Sequence, residues 1–105
     1  MKINSKNLEV EIDLKQAIFD VVQKRSGVKW LMDRSESHDL CVRRYGREEL
    51  VFSLAQARTK QIALLENNTA ARLEFRSFPG IDSSLSVSVL LSVSDAELTV
   101  ELTVN

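Results

Sequence analysis

One short segment of the sequence collects the side chains best suited to acid–base or metal chemistry. The only histidine, His38, lies there among three acids, Asp33, Glu36 and Asp39. Imidazole and carboxylate groups serve as general bases and as metal ligands, so the segment has the chemistry for either role. A metal site usually needs three or four converging ligands on a rigid support, which a polar loop with one imidazole does not supply. We therefore interpret the segment as a solvated loop.

The only cysteine, Cys41, is the strongest nucleophile in the chain. His38 and Arg43 are close to it in sequence, and a nearby base or positive charge activates a thiol. Cys41 nevertheless alternates with Leu40 and Val42 in a strand pattern, where free cysteine behaves as a small buried apolar residue. We therefore predict a packing role for Cys41. A lone cysteine also excludes an intramolecular disulfide, so the fold does not depend on an oxidising compartment.

A basic cluster is the only candidate for binding polyanions. Arg43, Arg44 and Arg47 surround Tyr45, and such a group can hold a phosphate or stack on a base. Two glutamates follow directly, the aromatic content is 6%, and the 14 basic and 15 acidic residues leave a net charge of -1. A nearly neutral chain has no field that recruits polyanions. We predict a solvated hairpin end, and neither nucleic acid nor a membrane as partner.

The single tryptophan, Trp30, is a candidate for sugar binding. Its flat ring could pack against the C–H groups of a pyranose, as tryptophans of sugar-binding modules do. A tryptophan between Lys29 and Leu31, near a strand end, is more typical of a core edge. We therefore predict that Trp30 packs at the edge of the core, and carbohydrate stays open as a ligand.

Two pairs of carboxylates lie at spacings of two and four residues, Glu9 with Glu11 and Glu97 with Glu101. These spacings place each pair on one face of a strand, turned towards solvent. Such an open face lacks the apolar pocket that would divide two carboxyl groups into an acid and a base. We therefore assign no catalytic residue, no cofactor and no metal ligand to this chain.

Composition indicates one globular domain over residues 1–105. Apolar residues make up 44% and charged residues 28% of the chain, as in ordinary globular proteins. A chain of this length can bury a core without disulfides or metals. The polar start, residues 1–7, lacks the apolar stretch of a signal peptide, so we expect a cytoplasmic protein.

β-strands are the elements that would position these residues, because apolar residues repeat with period two in several stretches. The predicted strands are Leu8–Asp13, Ile18–Lys24, Val28–Met32, Leu40–Arg44, Leu50–Ala55, Gln61–Glu66, Ala71–Phe78, Leu85–Val93 and Leu98–Val104. The first three form a meander. Leu50–Ala55 also fits helical spacing, and we favour a strand there. Residues 33–39 are predicted to form a loop, and residues 67–69 a tight hairpin turn.

The fold class that follows is an all-β antiparallel sandwich, or a strongly curved sheet, of eight or nine strands. The final hairpin is the clearest signal, since both of its strands alternate apolar with small or polar residues. The predicted core comprises Leu8, Val10, Ile12, Leu73, Phe75, Val87, Val89, Leu98, Val100 and Leu102. The substitution Val100→Asp is therefore expected to bury an unpaired charge and unfold the domain.

The first third of the chain resembles the opening of galactose-mutarotase-like β-supersandwich domains, which stand at the amino terminus of many glycoside hydrolases. The resemblance begins at Asn7 with the first two strands. It continues through Lys24, Arg25, Gly27 and Trp30, which match the K-R-x-G-x-x-W element of those domains. The last third, residues 85–105, resembles their long paired strands. No position matches the catalytic histidine and glutamate of mutarotase-type enzymes.

This resemblance implies a noncatalytic, carbohydrate-associated domain at the amino terminus of a glycoside hydrolase. It would pack against a downstream catalytic domain of the same polypeptide and shape its active site, and the chain would be a fragment of a longer protein. The alternative is a standalone interaction or assembly module that recruits partners to its sheet edges by strand addition. A small enzyme is the third hypothesis. We also expect a homodimer, because the strand Leu98–Val104 lacks the features that protect sheet edges.

Overall fold

The computed structural model describes residues 1–31, 41–44, 50–80, 85–95 and 97–104. These residues form ten strands and one 3-10 helix, Leu54–Gln56. The strands are β1 (Lys2–Asn4), β2 (Leu8–Asp13), β3 (Ile18–Gln23), β4 (Lys29–Trp30), β5 (Cys41–Arg44), β6 (Leu50–Ser53), β7 (Thr59–Leu65), β8 (Ala70–Arg76), β9 (Ser86–Val93) and β10 (Leu98–Val104). The predicted all-β antiparallel sandwich is confirmed. Two four-stranded antiparallel sheets make up its layers, and β5 and β6 pair separately.

The first sheet has the order β1-β2-β3-β4, so the predicted meander is confirmed. Sequence patterning missed β1, because three residues in a polar stretch are too few to show a period of two. Ile3 is the apolar residue of that strand; it is fully buried and pairs with Val10 on β2. Gly27, with a φ of 74°, closes the turn between β3 and β4 in the left-handed region that glycine adopts at least cost.

The second sheet has the order β10-β9-β8-β7, and its strands follow one another through hairpins. The predicted turn between β7 and β8 is confirmed: Asn67 and Asn68 have φ values of 55° and 65°, left-handed values that asparagine tolerates. Residues directly opposite in an antiparallel pair share a face. Ile62, Leu73, Val89 and Leu102 are successive partners across the four strands and so form one row on the inner face.

The core lies between the two sheets, where β1 packs across β8 and β9. The amide of Asn4 at the end of β1 also donates to the carbonyl of Asn68 at 2.8 Å. The 3-10 helix adds Leu54, which is fully buried. Its start is fixed by a capping box in which the Ser53 hydroxyl accepts from the Ala55 amide and the Gln56 side chain accepts from the Ser53 amide. The predicted strand Leu50–Ala55 is therefore confirmed only as far as Ser53.

The predicted core is confirmed except in β10. Seven of the ten predicted core residues are buried: Leu8, Val10, Ile12, Leu73, Phe75, Val87 and Val89. Leu98 is half-buried, whereas Val100 and Leu102 are 37% and 50% exposed. β10 is an edge strand whose inner face lies beyond β8 and β9, the strands that β1 covers. The prediction for Val100→Asp assumed that Val100 is buried, and this assumption is wrong.

Candidate functional site

Most of the polar candidates fall outside the described residues. These are Asp33, Glu36, His38, Asp39, Tyr45 and Arg47, with the predicted loop and turn that contain them. Cys41, Arg43 and Arg44 lie on β5, and the packing of their side chains is also outside the described part of the structure. Their predicted roles therefore stay predictions. Within the described ranges, no three or more His, Cys, Asp or Glu side chains come together in a way that could hold a metal ion.

The first carboxylate pair lies on β2, and of the second pair Glu97 directly precedes β10 and Glu101 lies on it. Glu9 is half-buried on β2, with its carboxylate 3.7 Å from the ammonium group of Lys2. Glu11, on the same strand, is exposed and lies opposite Asp20 on β3. Glu101 is exposed on β10. No described carboxylate faces another across a closed apolar pocket, which is the arrangement that acid–base catalysis by two carboxyl groups needs.

One shallow cavity of about 440 Å³ opens near the start of the chain. Its acidic lining comes from Glu11, Asp13 and Asp20, and its apolar lining includes Leu14 and Ile62. The carboxylates come from two neighbouring strands. A lining of acids without a nucleophile or an anion-stabilising donor does not form a catalytic constellation.

The clearest unpartnered feature is an apolar strip on β10, made of Val100, Leu102 and Val104 and here named the β10 strip. The three side chains are 37%, 50% and 52% exposed. They lie opposite Leu91, Val89 and Val87 of β9, which are fully buried. The strip thus continues the inner face of the sheet one strand beyond its covered part.

A second apolar surface lies at the margin of the first sheet and consists of Val28, Trp30 and Leu31, here named the Trp30 patch. These residues are 47%, 53% and 65% exposed. Trp30 pairs with Val21 and so shares the inner face of that sheet, but β4 is an edge strand of only two residues. The prediction that Trp30 packs at the core edge is therefore wrong in its burial, since half of the side chain is open to solvent.

Both apolar surfaces are suited to binding and neither is suited to bond chemistry. The β10 strip adjoins a free backbone edge, where a further strand could add to the sheet. The Trp30 patch presents an aromatic face that could cover a sugar ring or a neighbouring domain. Sequence reasoning singled out Trp30 for its ring and Leu98–Val104 for its unprotected edge. It did not predict that the β10 strip and the Trp30 patch are exposed. The periodicity of a strand shows which side chains share a face of the sheet, but it does not show whether another layer covers that face.

Comparison with known proteins agrees with the fold. No family model and no curated protein matches the chain. Among solved structures, a quadruple mutant of the α-N-acetylgalactosaminidase NagBb from Bifidobacterium bifidum is similar, with a TM-score of 0.74 and 18% sequence identity. The match covers 100% of this chain and 16% of that one. This chain therefore has a fold that also occurs as a small part of a much longer glycoside hydrolase.

The structural likeness to the glycosidase supports some of the predictions made from the sequence and leaves others open. It supports an all-β fold of a kind found in a glycoside hydrolase. At this identity it shows the fold alone, so the galactose-mutarotase-like assignment stays a prediction. Within the described residues there is no helix that could span a lipid bilayer.

Proposed function

We propose that this chain is a noncatalytic, carbohydrate-associated domain of a glycoside hydrolase, which packs against a downstream catalytic domain and shapes its active site. The observation that supports the proposal most is the fold likeness, which extends over the whole chain but over only 16% of the glycosidase. A domain that makes up so small a share of an enzyme is compatible with an accessory role beside a separate catalytic domain.

The Trp30 patch is the surface that this proposal assigns to the catalytic domain. Its three residues are large, apolar and close together in sequence, and an exposed apolar patch commonly marks a contact surface. Tryptophan is also one of the residue types enriched among the side chains that dominate protein–protein binding. A catalytic domain that covered Trp30 would remove this apolar surface from water and fix the two domains relative to each other.

The first test is the reading frame that follows the codon of Asn105. A frame that continues into a catalytic domain supports the proposal, and a stop codon at that point contradicts it. The isolated chain is expected to release no nitrophenol from aryl N-acetyl-α-galactosaminides or other aryl glycosides. Turnover above background by the purified chain would contradict its noncatalytic assignment.

The second test measures the domain contact directly, using the catalytic domain expressed separately and titrated with this chain. Trp30→Ala is expected to weaken the association about tenfold or more, as loss of a central aromatic anchor does. Leu64→Ala is the matched control, since Leu64 is also an exposed apolar residue, at 39%, on a different strand. Equal effects of the two substitutions would argue against the Trp30 patch as the contact.

A standalone interaction module is the second candidate function, and the β10 strip is the observation that favours it. An open strand edge beside exposed apolar side chains is the surface that strand addition requires. The same reading-frame test separates the two functions, because a stop codon after Asn105 would favour the interaction module.

A further inference from the structure

β10 forms one edge of the second sheet. β10 pairs with β9 along all seven of its residues, from Leu98 opposite Val93 to Val104 opposite Val87. Its other side has no partner among the strands of the described residues. In an edge strand the N–H and C=O groups of alternate residues point away from the paired strand, in the plane of the sheet. The free edge of β10 therefore presents backbone groups that a further strand could bind.

The inner-facing side chains of β10 carry no protection against strand addition. Its inner-facing residues are Leu98, Val100, Leu102 and Val104, all of them apolar. Natural sheets commonly guard an open edge with an inward-pointing charge, a proline or a bulge. The strand β10 contains no proline, and its only charged residue, Glu101, points to the outer face.

The sequence of β10 is nearly its own mirror image. It reads Leu-Thr-Val-Glu-Leu-Thr-Val from Leu98 to Val104, with Glu101 at its centre. An antiparallel pair made by a two-fold axis perpendicular to the sheet keeps the inner faces of both copies on the same side. With the axis at Glu101, all seven residues overlap, every apolar side chain meets an apolar one, and Thr99 lies opposite Thr103 of the second copy. Such threonine pairs are favourable on a sheet.

We infer that two copies of this chain dimerise by antiparallel pairing of their β10 strands about an axis through Glu101. The sheet β10-β9-β8-β7 of one copy and the same sheet of the other copy become one continuous sheet. The β10 strips of both copies then form one inner surface. The inference stands independently of the proposed function, because it uses only the edge and its self-complementarity. One unfavourable contact belongs to this register: Glu101 lies opposite Glu101 of the second copy, and like charges directly opposite weaken strand pairing.

Sedimentation of the 105-residue chain tests the dimer, over protein concentrations from about 1 μM to about 1 mM, the range in which weak and moderate complexes form. The parent chain is expected to change from monomer to dimer in this range. Leu102→Lys is expected to weaken dimerisation at least about tenfold, because it places a charge in the apolar strip. Leu64→Lys is the matched control on the opposite edge strand, and it should dimerise as the parent does.

Glu101 tests the register. Glu101→Gln removes the opposed charges and is expected to tighten the dimer about two- to fivefold. Glu97→Gln makes the same change four residues earlier, outside the paired strand, and should leave the dimer unchanged. Amide hydrogen exchange gives a second readout, in which the β10 amides become protected as concentration rises while the β7 amides do not.

Three results would overturn the inference. A monomer throughout the concentration range would show that a second copy does not cover this edge, leaving it to a strand of another protein or of a longer chain. A dimer that Leu102→Lys leaves intact would place the interface elsewhere. A dimer that Glu101→Gln leaves unchanged, or weakens, would exclude the axis at Glu101. Circular dichroism of each variant verifies that it is folded.

Discussion

β7 and β10 are the two edge strands of one sheet, and they differ in how each edge is closed. On β7 the inner-facing residues are Lys60, Ile62 and Leu64, so a cation points inward. The Lys60 ammonium group donates to the carbonyl of Lys15 at 2.6 Å, in the connection between β2 and β3. β10 has only apolar residues on the same face. A single inward charge, held by the connection between β2 and β3, distinguishes the closed edge at β7 from the open edge at β10.

The two strands also differ in what lies over them. Ile62 and Leu102 belong to the same row across the sheet, through Leu73 and Val89. Ile62 is half-buried against the core and lines a cavity together with Leu14 of the connection between β2 and β3, whereas Leu102 is 50% exposed. The same alternation of apolar residues therefore produces a strand packed against the core in β7 and an exposed apolar surface in β10. Coverage by the second layer makes the difference.

The largest difference in stability is expected between an aspartate placed on the covered strand β9 and one placed on the open edge strand β10. Val89→Asp buries a charge at a fully buried position, which costs about 3–5 kcal/mol of a total stability of roughly 5–15 kcal/mol. Val100→Asp lies on the open edge and is expected to cost about 1 kcal/mol. Urea unfolding followed by far-UV circular dichroism measures both. Equal losses would show that β10 is as well covered as β9.

A smaller effect is expected from truncating the two edge strands. Ile62→Ala should cost about 1–2 kcal/mol, less than a fully buried isoleucine, because Ile62 still contacts the core. Leu102→Ala should cost about 0.5 kcal/mol, since half of that side chain is already in water. Both are measured by urea unfolding at low protein concentration, where self-association does not contribute. The reverse order of losses would contradict the comparison of the two edges.

Sequence periodicity predicted the sheets well because each strand is read from its own residues. The alternation in β2, β8 and β9 identified their buried faces correctly, and Asn67 and Asn68 identified a turn that needs left-handed residues. β1 was missed because three residues carry no measurable period. The 3-10 helix at Leu54 was missed because its signal is a capping box of Ser53 and Gln56 inside an apolar run.

Exposure at the sheet margins was beyond sequence reasoning for a physical reason. Trp30 and Leu102 both lie on inner faces of their sheets. The period-two alternation of apolar residues shows which face is inner, but it does not show where the opposite layer ends. β1 packs across β8 and β9 between the two layers, whereas Trp30 on the edge strand β4 and Leu102 on the edge strand β10 stay half exposed. Lys60 is the converse case. A lysine in a strand pattern suggests solvent, yet its position opposite Phe75 places it on the inner face.

Lys60 provides the smallest and most specific test of the closed edge. Burial lowers the pKa of Lys60 below its ordinary value of 10.5; Asp13 opposes this shift and Lys15 adds to it. Because the folded state disfavours the charged form, the penalty is fully present below the folded pKa and disappears as pH rises towards 10.5. Lys60→Met removes the penalty, so its stability gain over the parent should be greatest near neutral pH and shrink as the pH rises towards 10.5. Urea unfolding of both proteins at a series of pH values measures this gain.

The same substitution also tests edge protection, because it leaves β7 with only apolar residues on its inner face. Lys60→Met should therefore associate more strongly than the parent chain, with protection of β7 amides that the parent lacks. Lys60→Arg is the matched control, since it keeps an inward cation whose charge persists at all accessible pH values. A Lys60→Met variant whose gain is independent of pH would exclude a charge penalty at this position. One that associates no more than Lys60→Arg would show that neither the inward charge nor the hydrogen bond to Lys15, both of which methionine removes, closes this edge.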